Sequence, residues 1–139
     1  MIYKSFSPED TLAFAAKMAL DARAGDIICL CGPLGAGKTA FAKGFALGLD
    51  VEGHVSSPSF TIMQLYNSGR LPLYHFDLYR LMEAIDEDAL EDIGFFDCLN
   101  ADGVCLIEWA DCARDYIPAG ATWLEIELGE NFRKIGVAR

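Results

Sequence analysis

Eight consecutive residues, Gly32-Pro33-Leu34-Gly35-Ala36-Gly37-Lys38-Thr39, satisfy the pattern G-x-x-x-x-G-K-[ST]. Their chemistry suits phosphate. Glycines let successive backbone N–H groups converge on a β-phosphate, at Gly35 and Gly37 here, and the positive end of a following helix adds a favourable field. Lys38 places an ammonium between β- and γ-phosphates, and the Thr39 hydroxyl serves as one ligand of an octahedral Mg²⁺. A second apolar strand ending in an acid completes such sites. Two strands qualify: Val104 to Ile107 delivers Glu108, and Leu73 to Phe76 delivers Asp77. Asp77 also reads as a helix cap ahead of Leu78, and the two roles are compatible. Ser57-Pro58-Ser59-Phe60-Thr61 offers three hydroxyls and a stiffening proline, a segment able to sense a γ-phosphate or its metal, or else a plain polar loop entering a strand. His75, on an alternating strand, reads as a packed or hydrogen-bonded histidine rather than a ligand.

These groups need elements to position them. Ser7-Pro8-Glu9-Asp10 is a helix start, and Leu12, Ala15, Ala16, Ala19 and Leu20 share one face, so a helix is expected over roughly 8–23. Ile27 to Cys31 is a continuous apolar run, the pattern of a strand buried on both faces. Helical spacing resumes from Lys38 to Leu49, which sets the glycine loop between strand and helix, where the motif has physical meaning. Phe60 to Tyr66 and Leu71 to Leu78 flank Asn67-Ser68-Gly69-Arg70 and predict an antiparallel hairpin. A short acidic helix over 83–92 ends at Gly94. Leu124, Ile126 and Leu128 alternate with Glu125 and Glu127 as a half-buried strand, beside which Lys134 to Val137 can pair. No repeat, linker or low-complexity segment appears, so 1–139 reads as a single mixed α/β domain.

Composition narrows the function further. The 21 acidic residues outnumber the 11 Lys and Arg, leaving a charge of −10 over 139 residues that disfavours direct nucleic-acid binding. With 53% apolar residues, a core is well supplied and a disordered acidic tail is excluded. Neither a membrane span nor a signal peptide is expected, and the chain reads as cytoplasmic. The five cysteines form no C-x-x-C pair, so reduced, buried thiols are expected in place of zinc or disulfides. No Asn is followed by Lys as guanine recognition would require, which favours ATP. Arginines are scattered singly, apart from Arg133-Lys134, which counts against the arginine-rich lid of a small kinase.

Taken together, the P-loop, Ser57 to Thr61, Tyr74-His75-Phe76-Asp77-Leu78-Tyr79-Arg80-Leu81 and Leu106-Ile107-Glu108-Trp109 resemble the bacterial TsaE (YjeE) family, the ATPase required for threonylcarbamoyladenosine formation in tRNA. That resemblance implies a P-loop NTPase-like three-layer sandwich with a mixed, partly antiparallel sheet, binding ATP and Mg²⁺. It implies that Gly35, Ala36, Gly37, Lys38 and Thr39 hold phosphates, with Thr11 and Arg133 near the nucleotide, and that Thr39 and Glu108 hold the metal. Lys38, Asp77 and Glu108 would be catalytic, and Ser57, Ser59 and Thr61 a switch. The implied partners are the threonylcarbamoyl-transfer subunits TsaD and TsaB, with tRNA reached only through them and no membrane involved. Three positions depart from the family pattern: Pro33 for the usual aspartate, Ser59 for threonine, and Ala110-Asp111 after the Glu108-Trp109 pair. None removes a charge the metal site needs. A small sugar or nucleoside kinase, and a nucleotide-dependent assembly factor with little turnover, are the competing readings.

Overall fold

A computed structural model describes residues 1–58 and 60–138, so the expectation for Ser59 lies outside the described residues. Seven strands form one sheet in the order β1-β7-β6-β2-β5-β4-β3: β1 Ile2–Ser5, β2 Ile27–Cys31, β3 Met63–Tyr66, β4 Leu73–Asp77, β5 Val104–Glu108, β6 Thr122–Leu128 and β7 Arg133–Ala138. The four inner strands β6, β2, β5 and β4 run parallel; β7 on one side and β3 on the other flank them antiparallel, and β1 pairs antiparallel with β7 and so runs in the direction of the inner four. The expected mixed sheet is therefore present, with its parallel part in the buried middle.

Alternation along the strands divides the core into two layers. Ile28, Leu30, Leu73, Leu106, Leu124 and Ile126 face helices α1 (Pro8–Leu20) and α2 (Lys38–Gly48). Cys29, Cys31, Phe76, Cys105 and Ile107 face the opposite layer, built from α3 (Glu87–Asp92), α4 (Phe95–Leu99) and the 3₁₀ segment Ala110–Tyr116. Three layers result, as the family resemblance implies. All five cysteines are free, and all but the half-buried Cys112 are buried.

Local chemistry explains most boundaries. Ser7 Oγ accepts the Asp10 N–H at 3.0 Å while Asp10 Oδ2 accepts the Phe6 N–H at 2.9 Å, a reciprocal cap that starts α1. The helix stops at Leu20, three residues before the expected end, because Asp26 Oδ2 takes the Arg23 N–H at 2.8 Å and closes a turn. Arg70 then holds the last carbonyls of that segment, donating to Ala19 O at 2.8 Å and Ala22 O at 3.1 Å. Helices α1 and α2 approach closely through Gly44 and Gly48, where an added Cβ would lie 2.1 Å from Leu12 O and 2.3 Å from Ala16 O.

Further details differ from the sequence expectation. The hairpin's first strand begins at Met63, since Phe60 to Ile62 form a turn closed by the Ile62 N–H to Pro58 O bond of 2.7 Å. The acidic helix begins at Glu87, capped by Asp86 Oδ1 on the Ala89 N–H at 2.7 Å, and all six acids from Glu83 to Asp92 face solvent. Strand β1 and helix α4 were not anticipated.

Candidate nucleotide site

The parallel strands β2, β5 and β4 end together. Cys31 runs directly into the glycine loop, and Glu108 and Asp77 are register partners at the carboxyl ends of their strands. Strand parity carries His75, Asp77 and Glu108 onto the face that holds Leu73 and Leu106, beneath the start of α2. Strand order, not nearness in sequence, brings an acid from residue 77 and another from residue 108 to one phosphate loop.

The loop itself needs its glycines. Gly35 and Gly37 have φ of 79° and 104°, and Gly37 is the amino-terminal cap of α2. Beside them lies a cavity of about 600 Å³ whose walls include Lys38, Thr39, Ser57, Asp77, Glu108 and Trp109. Thr39 is exposed to it, whereas Lys38, Asp77 and Glu108 are largely buried, at 7%, 5% and 2% exposure.

Lys38 is already engaged. Its Nζ donates to Gly32 O at 2.5 Å, approaches Pro33 O at 3.4 Å and sits 3.5 Å above the centre of the Trp109 ring. Burial lowers the pKa of this ammonium, and the Glu108 and Asp77 carboxylates pull it back up. Trp109 is held for this contact by a left-handed backbone (φ 59°), by its N–H bond to Leu30 O at 3.1 Å and by the Tyr79 ring 5.0 Å away. The path after Glu108, where the family pattern is broken, continues into the 3₁₀ segment that starts at Ala110.

Each acid has its own donors. Asp77 Oδ2 accepts from the Ser57 hydroxyl at 2.8 Å and its Oδ1 from the Tyr79 N–H at 3.0 Å, so Asp77 steadies the following turn while lining the cavity. Glu108 Oε2 lies 2.5 Å from His75 Nε2. Of the expected switch, Ser57 reaches the cavity, but Thr61 is exposed outside its walls. Next to it Ile62 has φ of 67°, a strained value for a β-branched residue.

On the other flank of the loop, a cavity of about 230 Å³ lies between Phe6 and Phe132 and includes Thr11, Arg133 and Gly35 to Gly37. Thr11 Oγ1 shares a 2.6 Å hydrogen bond with Ser5 Oγ, and Arg133 reaches Gly35 O at 3.5 Å. The two residues assigned to the nucleotide by resemblance thus meet the P-loop, although they come from opposite ends of the chain. The aromatic pair escaped the sequence reading. Only the pairing of β1 with β7, which puts Ser5 opposite Arg133, brings the two rings together. A further cavity of about 680 Å³ lies at the opposite sheet end, beside Asp21 and Arg70, and shares no wall with the loop.

The donor set fits Mg²⁺. A hydroxyl and carboxylates are hard oxygen ligands, and no cluster of three or more His, Cys, Asp or Glu able to hold a metal occurs among the described residues. An ion completed by nucleotide phosphates and water needs only one or two protein oxygens.

Comparison with known proteins agrees with the sequence motifs. A family profile described as "Threonylcarbamoyl adenosine biosynthesis protein TsaE" matches residues 5–135. The tRNA threonylcarbamoyladenosine biosynthesis protein TsaE of Bacillus subtilis is 43% identical over 134 residues, covering 96% of this chain and 82% of that protein. The protein of the same name from Treponema pallidum is 38% identical over 135 residues, covering 96% and 97%. The crystal structure of Bacillus subtilis YdiB superposes with a TM-score of 0.80 at 39% identity, over 97% of this chain and 82% of that one.

Proposed function

The chain belongs to the TsaE family of threonylcarbamoyl adenosine biosynthesis proteins, and from that premise we propose that it is a Mg²⁺-dependent ATPase serving the TsaB–TsaD threonylcarbamoyl-transfer complex in the cytoplasm. The observation that carries the reading is one cavity walled by Lys38, Thr39, Asp77 and Glu108 at the mouth of a strand-loop-helix phosphate motif.

Backbone N–H groups at the start of α2 receive the phosphates, and Lys38 leaves Gly32 O and the Trp109 ring to bridge β- and γ-oxygens. Thr39 and Glu108 would hold Mg²⁺ together with the phosphates, and the bound ion would supply neutralisation of phosphate charge. Asp77, fixed by the Ser57 hydroxyl and the Tyr79 N–H, orients the attacking water. The adenosine end lies toward Thr11 and Arg133, between Phe6 and Phe132.

Ser57 gives the cycle a route outward. It links Asp77 to the segment that carries Pro58 and Ser59, so loss of the γ-phosphate alters the restraint on that segment and hence on a bound partner. The transfer of the threonylcarbamoyl group itself belongs to TsaD in this scheme, and tRNA is contacted through the complex, in keeping with the net charge of −10.

Phosphate release from ATP, measured with and without the TsaB–TsaD pair, tests the proposal. Hydrolysis that rises with the pair and falls on Lys38→Ala is expected. Transfer of labelled phosphate to a sugar or nucleoside would identify a kinase, and absence of turnover with the pair present would identify an assembly factor.

A further inference from the structure

His75 occupies the middle of β4 with no exposed surface, beside Leu106 of β5 in register. On that face of the sheet it is flanked by the buried Leu73 and Leu106 as well as by Gln64 of β3, Asp77 and Glu108, and full pairing would give each ring nitrogen a polar partner. Instead the imidazole buries Nδ1 with no hydrogen-bond partner among the described residues. An unpaired buried polar atom is destabilising, and a native structure keeps one where another property depends on it. Among the described residues the ring's one hydrogen-bond partner is Glu108, with Nε2 2.5 Å from Oε2.

With no acceptor facing Nδ1, the proton is assigned to Nε2, and the imidazole donates to the carboxylate. We infer that His75 is the positioning residue of the metal site: it anchors Oε2 of Glu108 and leaves the other carboxylate oxygen for the nucleotide-bound Mg²⁺. This inference rests on the ATPase reading above. The geometry is that of an outer-shell donor, which fixes a ligand's direction without touching the metal. Asp77 has Ser57 and Tyr79 for the same purpose, whereas the contact between His75 and Glu108 is buried behind the cavity wall that Glu108 helps to form, at 0% and 2% exposure.

Substitutions by reach separate positioning from packing. His75→Gln places an amide N–H near the Nε2 position, His75→Asn is too short to reach Glu108, and His75→Leu removes the donor while repairing the orphaned nitrogen. Mn²⁺ affinity of each protein's ADP complex is measured by electron paramagnetic resonance, alongside ADP affinity without metal and thermal stability. His75→Leu is expected to stay folded, bind metal-free ADP as the parent does and lose about 10- to 100-fold in Mn²⁺ affinity, with His75→Gln recovering most of it. Should His75→Leu not fold, the Gln and Asn variants carry the test, the first close to parental and the second weakened.

Equal Mn²⁺ affinity in the donor-bearing and donor-less variants, while Glu108→Gln abolishes binding, overturns the role of His75 alone. Parental Mn²⁺ affinity in Glu108→Gln overturns the metal-site reading and this inference with it.

Discussion

Lys38→Ala should weaken ATP less than removal of a P-loop lysine suggests on contact counting alone. Two charge-assisted hydrogen bonds to phosphate oxygens contribute about 1.5–3 kcal/mol each, or roughly 3–6 kcal/mol together. In the free protein the same ammonium holds Gly32 O, for about 1.5–3 kcal/mol, and rests on the Trp109 ring at 3.5 Å, for about 0.5–2 kcal/mol. The bond to Pro33 O, at 3.4 Å, is too long to count. Subtracting the contacts surrendered leaves a net loss of about 1 kcal/mol, a roughly 5-fold weaker Kd. Calorimetry with MgATP is the appropriate assay, because Trp109 fluorescence is itself altered by the substitution. The same measurement has a pH arm. Burial lowers the Lys38 pKa in the free protein, and phosphate favours the charged form, so binding takes up a proton above that lowered pKa. Affinity should therefore fall as pH rises through the range where free Lys38 deprotonates, and the Ala variant should lack this component. A loss beyond about 100-fold would refute the resting engagement of Lys38, and an unchanged Kd would refute its phosphate role.

Asp77→Asn should leave MgATP affinity within a few-fold while lowering kcat by about 100-fold or more in steady-state phosphate release. Normal turnover in a folded variant would reduce Asp77 to its part in steadying the turn at Tyr79. Gly44→Ala should lower the Tm by roughly 10 °C in calorimetry, from about 2–3 kcal/mol of overpacking, since its Cβ would sit 2.1 Å from Leu12 O and force α1 away from α2. The cysteines set an alkaline limit. Burial raises Cys29 and Cys105 to about 12, so the folded state retains protons that the unfolded state releases near its ordinary value of 9.0. Stability from these thiols is whole below that value and declines by about 1.4 kcal/mol per pH unit per thiol above it, until the folded pKa is reached. Denaturant titrations at pH 8 and pH 10 should show the drop, and Cys29→Ala should reduce it.

Much of this molecule was legible before its folding was known, for a physical reason. The P-loop, its strand and its helix are contiguous, so local pattern carries both the element and its chemistry, and the run Ile27–Cys31 is buried along its whole length as its composition implies. Glu108 and Asp77 were readable as strand-end acids because parallel strands deliver their carboxyl ends to one edge. Contacts made by strand order were not readable. Phe6 meets Phe132 only because β1 pairs with β7, and the Lys38 contact with Trp109 depends on a left-handed backbone at a non-glycine residue. Phe60 misled the hairpin boundary, since it is apolar yet 87% exposed in a turn that lines the cavity beside Lys38. His75 was readable as a hydrogen-bonded histidine, but its partner lies 33 residues away on the neighbouring strand.

The most direct test of the account is made in cells. Bacteria depleted of their own TsaE-type protein are supplied with this chain, either unaltered or as Lys38→Ala or Glu108→Gln, and threonylcarbamoyladenosine is quantified in bulk tRNA. Restoration by the unaltered chain and failure by both variants at equal abundance is the predicted result. Full restoration by Glu108→Gln would contradict a metal-dependent ATP cycle, and no restoration by the unaltered, well-expressed chain would contradict the assigned role in tRNA modification.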